Sequence, residues 1–152
     1  MSDSAGILLY RRLRGELSVL LVHPGGPFWA RRDDGVWSIP KGEYEGGEDE
    51  LAAARREFAE ELGSPPPDGE TIDLGEITQR AGKRVRAWAL EGDLDASAIV
   101  SNTCEVQWPP RSGRMIEIPE VDRAEWLPLE QARVKINPAQ VALLDRFEAA
   151  VS

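Results

Sequence analysis

The sequence predicts an α+β fold, a mixed sheet with helices on its faces, and three observations predict it. Two short runs of branched apolar residues stand near the start, a strongly acidic amphipathic helix follows a long loop rich in Gly and Pro, and a capped helix stands last after a second group of strands.

In chain order, "AGILLYRR" (5–12) and "LSVLLVH" (17–23) read as two strands joined by a turn at "LRGE". The stretch from His23 to Gly47 is punctuated by Gly and Pro, so it reads as loop with a short strand at 36–39. Loops of that length inside a compact unit are usually functional. A helix is predicted over 48–62, between Gly47 and Gly63, the latter a natural left-handed stop. "SPPPDG" then breaks the chain. "EITQR" and "KRVRAWAL" flank Ala81 and Gly82 as a hairpin, with Val85, Ala87 and Ala89 on one face and Arg84, Arg86 and Trp88 on the other. Residues 91–113 read as loop, "RMIEIPEVDRAEWLPL" as two short strands, and 129–135 as a short helix. Asn137 as cap, Pro138 at the first helical position and Gln140 three residues after the cap form a capping-box start to the last helix, whose Leu143, Leu144, Phe147 and Val151 share one face.

Composition bounds the function. At 152 residues with 41% apolar side chains and five Trp, the chain is expected to fold as one domain, 1–152, without staples. Its lone cysteine, Cys104, forms no internal disulfide, and there is no Cys/His cluster for zinc. No apolar run is long enough for a signal peptide or a membrane span, so a soluble protein in a reducing cytoplasm is expected. A net charge of −9 opposes binding to duplex nucleic acid, which needs a basic footprint to displace counterions. An anionic substrate would need local help from a metal or clustered arginines.

The helix carries the strongest signal. Each helical residue advances about 100°, so Leu51, Phe58 and Leu62 form an apolar stripe while Glu50, Glu57, Glu60 and Glu61 cluster beside it. Glu57 lies one turn from both Glu60 and Glu61, where like charges destabilise a helix, and the last two sit at the negative end of the macrodipole. Arg56 relieves part of this by pairing with Glu60. A hard divalent cation, which takes carboxylate oxygens, waters and substrate phosphates, would relieve the rest. An acidic solvated face is the plainer reading of an isolated pair of glutamates on a helix.

The surrounding spacing favours the first reading. Gly42, five residues, Glu48, seven residues, Arg56, Glu57, Phe58, Ala59, Glu60, Glu61, Leu62, Gly63 resembles the Nudix box, the signature of metal-dependent hydrolases of nucleoside diphosphates linked to another moiety. Only the position after the last glycine departs: it is usually aliphatic and here is Ser64. The resemblance, to MutT-like and diadenosine polyphosphate hydrolase-like members, implies the Nudix fold, an α/β/α sandwich with a mixed, mostly antiparallel sheet. It implies that Glu57, Glu60 and Glu61 bind Mg²⁺ or Mn²⁺ with a backbone carbonyl near Gly42, that Glu48 and Arg56 support them, and that water is the nucleophile. Family bases are a box glutamate or one from a later loop, which makes Glu57 the first candidate, Glu120 the second and Glu117 the third.

For substrate, Lys41 precedes the box glycine in "WSIPKG", which resembles diadenosine polyphosphate hydrolases. Arg80, Lys83, Arg84, Arg86 and Trp88 offer a face for phosphates and a base, and equally fit a basic surface on an acidic protein. Arg111 and Arg114 are a second phosphate-gripping pair. Trp29, Trp37, Trp108 and Trp126 are stacking candidates that also fit a core. His23 reads as a strand-end residue. Thr78, Gln79 and Arg80 carry neither the proline nor the tyrosine that marks relatives acting on ADP-ribose or diadenosine polyphosphates. The expectation is a Mg²⁺-dependent pyrophosphohydrolase of a nucleoside triphosphate, damaged or not, or of a dinucleoside polyphosphate, acting as monomer or homodimer. The rival from another class is a Nudix-fold nucleotide sensor that binds without turnover.

Overall fold

Strand β1 (Asp3–Leu13) shows why the sheet needs cover on both sides. Ile7 and Leu9 point to one face and Leu8 and Tyr10 to the other, and all four are buried. A computed structural model describes residues 3–152; Met1 and Ser2 of the expected 1–152 span lie outside the described residues. The remaining elements are β2 (Glu16–Pro24), β3 (Lys41–Glu43), α1 (Glu50–Leu62), β4 (Thr71–Thr78), β5 (Arg84–Glu91), β6 (Thr103–Gln107), β7 (Met115–Pro119), β8 (Val121–Pro128), α2 (Leu129–Lys135) and α3 (Val141–Val151).

The main sheet runs β4-β5-β1-β2-β8, with β3 added to β1. Among the described strands only β1 and β5 pair in parallel, so the sheet is mixed and mostly antiparallel. One face packs Ala53, Ala54, Phe58 and Leu62 of α1 against Ile7, Leu9, Leu20 and Leu90. The opposite face packs Ala132 of α2 and Leu143, Leu144 and Phe147 of α3 against Leu8, Tyr10, Leu21 and Ala87. This is the expected α/β/α sandwich. No helix among the described residues is long and apolar enough to cross a membrane.

Four local readings change. Residues 36–39 form no strand: Trp37 and Ser38 make isolated bridges to Ile136 and Val22, and the strand begins at Lys41, where the chain turns to pair with Ala5 and Gly6. The expected loop 91–113 contains β6, whose period-two pattern is short and half-exposed because it pairs only with β7, as a hairpin off the main sheet. Helix α1 starts at Glu50, two residues late, because the Asp49 carboxylate accepts from the Ala52 amide at 2.9 Å and so becomes the cap. Asn137 does cap, accepting from Ala139 at 2.9 Å, but the three residues after it form a 3₁₀ turn before α3. Gln140 closes no capping box. It is wholly buried, accepting from the Ile39 amide at 3.1 Å and donating to Ser38 Oγ and Gln79 Oε1 at 3.0 and 2.9 Å. A buried amide must satisfy both ends, and these distant partners do so.

Candidate active site

Helix α1 aims its acidic face at β3, and the contact is backbone-close. A Cβ built on Gly42 would overlap the Glu57 carboxylate and lie 2.8 Å from Glu57 Cγ, so only glycine leaves room for that side chain. Glu57 is 7% exposed, and its Oε1 accepts from Arg56 Nη1 at 2.8 Å. One turn on, Glu61 Oε1 accepts from the Lys41 amide at 3.3 Å. Arg56 also grips Glu48 through two bonds of 2.9 and 3.0 Å and reaches Glu60 at 3.3 Å, so one guanidinium spans three carboxylates. Gly63 then ends the helix at φ 82°, its amide donating to Ala59 O at 2.8 Å.

A second segment, which sequence reasoning missed, completes the site. The Val100 and Asn102 amides donate to Leu62 O and Glu60 O, satisfying carbonyls that the helix end leaves orphaned. Asn102 O accepts from the Glu120 amide at 2.9 Å, and the Asn102 side-chain amide, turned so that its nitrogen rather than its oxygen faces these acceptors, donates to Glu120 Oε2 and Glu60 O at 3.2 Å. Ser101 Oγ accepts from the Val121 amide at 3.0 Å. Residues 100–102 thus stitch the acidic end of α1 to the start of β8 and hold Glu120 beside it. The signal available was faint, an "SNT" between loop and strand.

The result is a groove of about 150 Å³ lined by Lys41, Glu61 and Glu120 with Val22, Ser38 and Ile39. Its charges are poorly solvated. Burial pushes the Glu61 carboxyl up to about 8, with Glu120 and Glu57 adding to the rise and Lys41 opposing it. Burial also raises Glu57, against the pull of Arg56, and lowers the Lys41 ammonium, against the pull of Glu61. For both members of the Lys41 and Glu61 pair, desolvation outweighs mutual attraction. The groove is short of positive charge.

Other predicted residues lie elsewhere. Arg80 and Lys83 are exposed beside Gln79 and Asn137 on a bay of about 550 Å³, and the Lys83 charge is felt at Lys41. Arg84 and Arg86 do not join them: Arg84 bonds Asp3 at 2.9 and 3.1 Å, and Arg86 bonds Asp73 at 2.6 Å. Trp88 is 8% exposed, packed with the α1 side of the core. Among the stacking candidates, Trp37 is buried and donates to Asp33, and Trp126 donates to Leu94 O beneath Arg11. Trp29 and Trp108 remain partly exposed. Glu117, Arg111 and Arg114 are exposed on the β6–β7 hairpin and its loop. His23 is wholly buried, bound to Asp122 at 2.8 Å and Arg32 O at 2.7 Å. Burial, with the Glu120 charge, raises the Cys104 thiol, which disfavours the reactive thiolate.

Residues 2–147 match the sequence model of the NUDIX domain family. An RNA pyrophosphohydrolase of Rhizobium meliloti (strain 1021) is 30% identical over 131 residues, 77% of this chain and 73% of that protein. Among solved structures, a Caenorhabditis elegans Ap4A hydrolase binary complex superposes with a TM-score of 0.65 at 26% identity, over 99% of this chain and 98% of that one. The NUDIX domain of Shewanella oneidensis NrtR, complexed with ADP ribose, superposes with a TM-score of 0.66 at 16% identity, over 99% and 88%. The family model and the pyrophosphohydrolase relative make this fold that of a hydrolase of phosphorus-containing anhydrides. The chain belongs to the Nudix family.

Proposed function

We propose that the chain is a divalent-metal-dependent pyrophosphohydrolase that cleaves a phosphoanhydride in a nucleotide, with the groove between α1, β3 and β8 as its active site. The observation that carries this reading is the convergence of Glu57 and Glu61 on the backbone of Lys41 and Gly42, with Glu120 tethered beside them.

Among the described residues no three His, Cys, Asp or Glu side chains form a preassembled metal cage, because Arg56 engages Glu57 and Glu60 while Glu61 accepts from Lys41. The donor set nonetheless fits a hard cation: carboxylate oxygens, poorly solvated, in a groove short of positive charge, against a glycine that leaves backbone accessible. Glu57, Glu60, Glu61 and the Gly42 carbonyl would hold Mg²⁺ or Mn²⁺. When bound, such an ion neutralises charge building on the pyrophosphate and makes water a better nucleophile.

The chain's own residues supply the rest. Glu57 is buried and tied to Arg56, whereas Glu120 lines the groove with Oε2 held by Asn102 and Oε1 without a hydrogen bond among the described residues. We therefore assign acceptance of the water proton to Glu120 and a holding role to Glu57. Arg56 orients the carboxylates, and Lys41, with Arg80 and Lys83 nearby, draws in the polyphosphate. Arg84, Arg86 and Trp88 are occupied by structural partners and take no part. The substrates carried by the related proteins, RNA and Ap4A, set the class: a base-bearing molecule with at least a diphosphate. A single domain acting in the cytoplasm, as monomer or homodimer, completes the reading.

The test is product release from nucleoside triphosphates, Ap4A, ADP-ribose and RNA with a 5′-triphosphate end, in Mg²⁺ or Mn²⁺. Glu57→Gln and Glu61→Gln should abolish turnover, and Glu120→Gln should lower kcat with little change in KM. Turnover of none of these, or turnover indifferent to Glu57→Gln and Glu61→Gln, refutes the proposal.

A further inference from the structure

Beside the groove lies a second hollow, about 200 Å³, formed where the loop after β2 meets the β6–β7 hairpin. Phe28 and Trp29 line one side, Val106, Trp108 and Ile118 the other, and the single polar side chain among the lining residues is Gln107. The loop lies flat on the hairpin because it begins with two glycines. A Cβ on Gly25 would overlap Pro119 O, and one on Gly26, already at φ 95°, would sit 2.6 Å from Ile118 Cδ1. Phe28 and Trp29 meet edge to face at 4.7 Å, and the Arg32 guanidinium stands 4.5 Å over the Phe28 ring.

Core packing does not account for this arrangement. Phe28 is 51% exposed, and Trp29 and Trp108 are partly so, leaving three large rings unfinished around a hollow with no carboxylate in its lining. The hollow also neighbours the active groove. Pro24 lines one and Gly25 the other, Glu120 lines the first while Ile118 lines the second, and the Gly25 amide donates to Glu120 O at 3.0 Å. The catalytic glutamate is thus tied to the wall of the aromatic hollow.

We infer that this hollow is a clamp for the planar base of the substrate, closed by Phe28 and Trp29 on the loop and Trp108 on the hairpin. The inference rests on the nucleotide reading above and adds where the base binds and how. A flat heteroaromatic ring fits between ring faces in a space of this size, and every base has a π-face, so stacking is tolerant of base identity. Gln107 adds an amide that both donates and accepts and therefore favours no single base edge. A base seated here leaves its phosphates on the side of the shared wall that Lys41, Glu61 and Glu120 line.

The experiment is calorimetric titration, in Mg²⁺, of the wild type, Trp108→Ala and Phe28→Ala with AMP, GMP, CMP, UMP and the base-free probe ribose 5-phosphate. At least one nucleotide should bind the wild type more tightly than ribose 5-phosphate, and that advantage should shrink by ~5- to 150-fold in Trp108→Ala, the affinity equivalent of one lost base–aromatic stack. Ribose 5-phosphate should bind all three proteins alike. Phe28 is half exposed, so its substitution keeps the proposal testable if Trp108→Ala disturbs the hairpin. The clamp is overturned if no nucleotide outbinds ribose 5-phosphate, or if the advantage survives both substitutions. Turnover whose KM ignores both substitutions also overturns the clamp and leaves the hydrolase reading standing. Ring-dependent binding without turnover of any substrate supports the clamp and sinks the hydrolase reading instead.

Discussion

Adding one methyl group at Gly42 tests the site at its narrowest point. Gly42 lies outside the left-handed region, so an alanine there meets no φ strain, and the nearest obstacle is Glu57. The new Cβ would overlap the Glu57 carboxylate and stand 2.8 Å from Cγ, where carbon contacts settle near ~3.5–4.0 Å. The carboxylate must therefore move by roughly 1 Å or more. Overpacking of this kind costs about 1–3 kcal/mol, which for a chain of this length lowers Tm by roughly 2–12 °C. A misplacement near 1 Å at a reacting centre costs on the order of 100-fold in rate. Differential scanning calorimetry and product-release kinetics read the two effects separately. The double variant Gly42→Ala/Glu57→Ala should recover stability relative to the sum of the single changes, because truncating Glu57 removes the clash, yet stay inactive. A Gly42→Ala protein with wild-type kcat/KM, or strictly additive melting shifts, would show that this contact is not where the chemistry sits.

Three further outcomes are expected. Glu61→Gln keeps an acceptor for the Lys41 amide and replaces a carboxyl whose ionisation burial already disfavours, so the metal-free protein should melt within a few degrees of wild type while losing turnover; a large drop in Tm would mean that Glu61 is structural. Asp33 is held below the usual carboxylate range chiefly by Lys135 and next by Trp37 Nε1, so its contribution is present above its unfolded pKa near ~3.9 and lost as pH falls through the lower folded value. The Tm gap between wild type and Asp33→Asn should accordingly be open at pH 7 and close at acid pH, and a gap that stays constant through pH 3 refutes the linkage. Phe147 is fully buried against Tyr10 at 4.7 Å, so Phe147→Ala should cost about 3–5 kcal/mol, and chemical denaturation showing under about 1 kcal/mol would place it outside the core.

The parts of the fold that the sequence made legible are those where one residue type has one job. Gly63 had to stop α1, the branched apolar runs of β1 and β2 had to bury two faces, and Leu143, Leu144 and Phe147 had to share a stripe. Strand β6 escaped because its alternation serves only a two-stranded hairpin, which leaves no strongly apolar face to recognise. Gln140 misled for a related reason. Local spacing offers it a helix N-terminus, while the fold offers it Ile39, Ser38 and Gln79, from segments 61 to 102 residues away, and the buried amide takes the partners that satisfy all of it.

The same distinction explains which site residues could be read in advance. Glu57, Glu60 and Glu61 lie on one rigid helix, so their mutual placement follows from the period alone. Arg84, Arg86 and Trp88 share a strand face by the same logic, but a face says nothing about what it meets. Asp3 and Asp73 neutralise the two arginines, and the core closes over the tryptophan. Glu120 is the opposite case: its chain position carried little information, and it reaches the groove because Asn102 bonds α1 and β8 together. Periodicity therefore fixes constellations within one element, and constellations between elements depend on hydrogen bonds, through backbone and side chain alike, that no spacing announces. If that is the right division, Asn102→Ala should leave Glu57 and Glu61 in place but loosen Glu120. It would then lower kcat toward that of Glu120→Gln, with KM unchanged. A change confined to KM would instead place Asn102 in substrate binding.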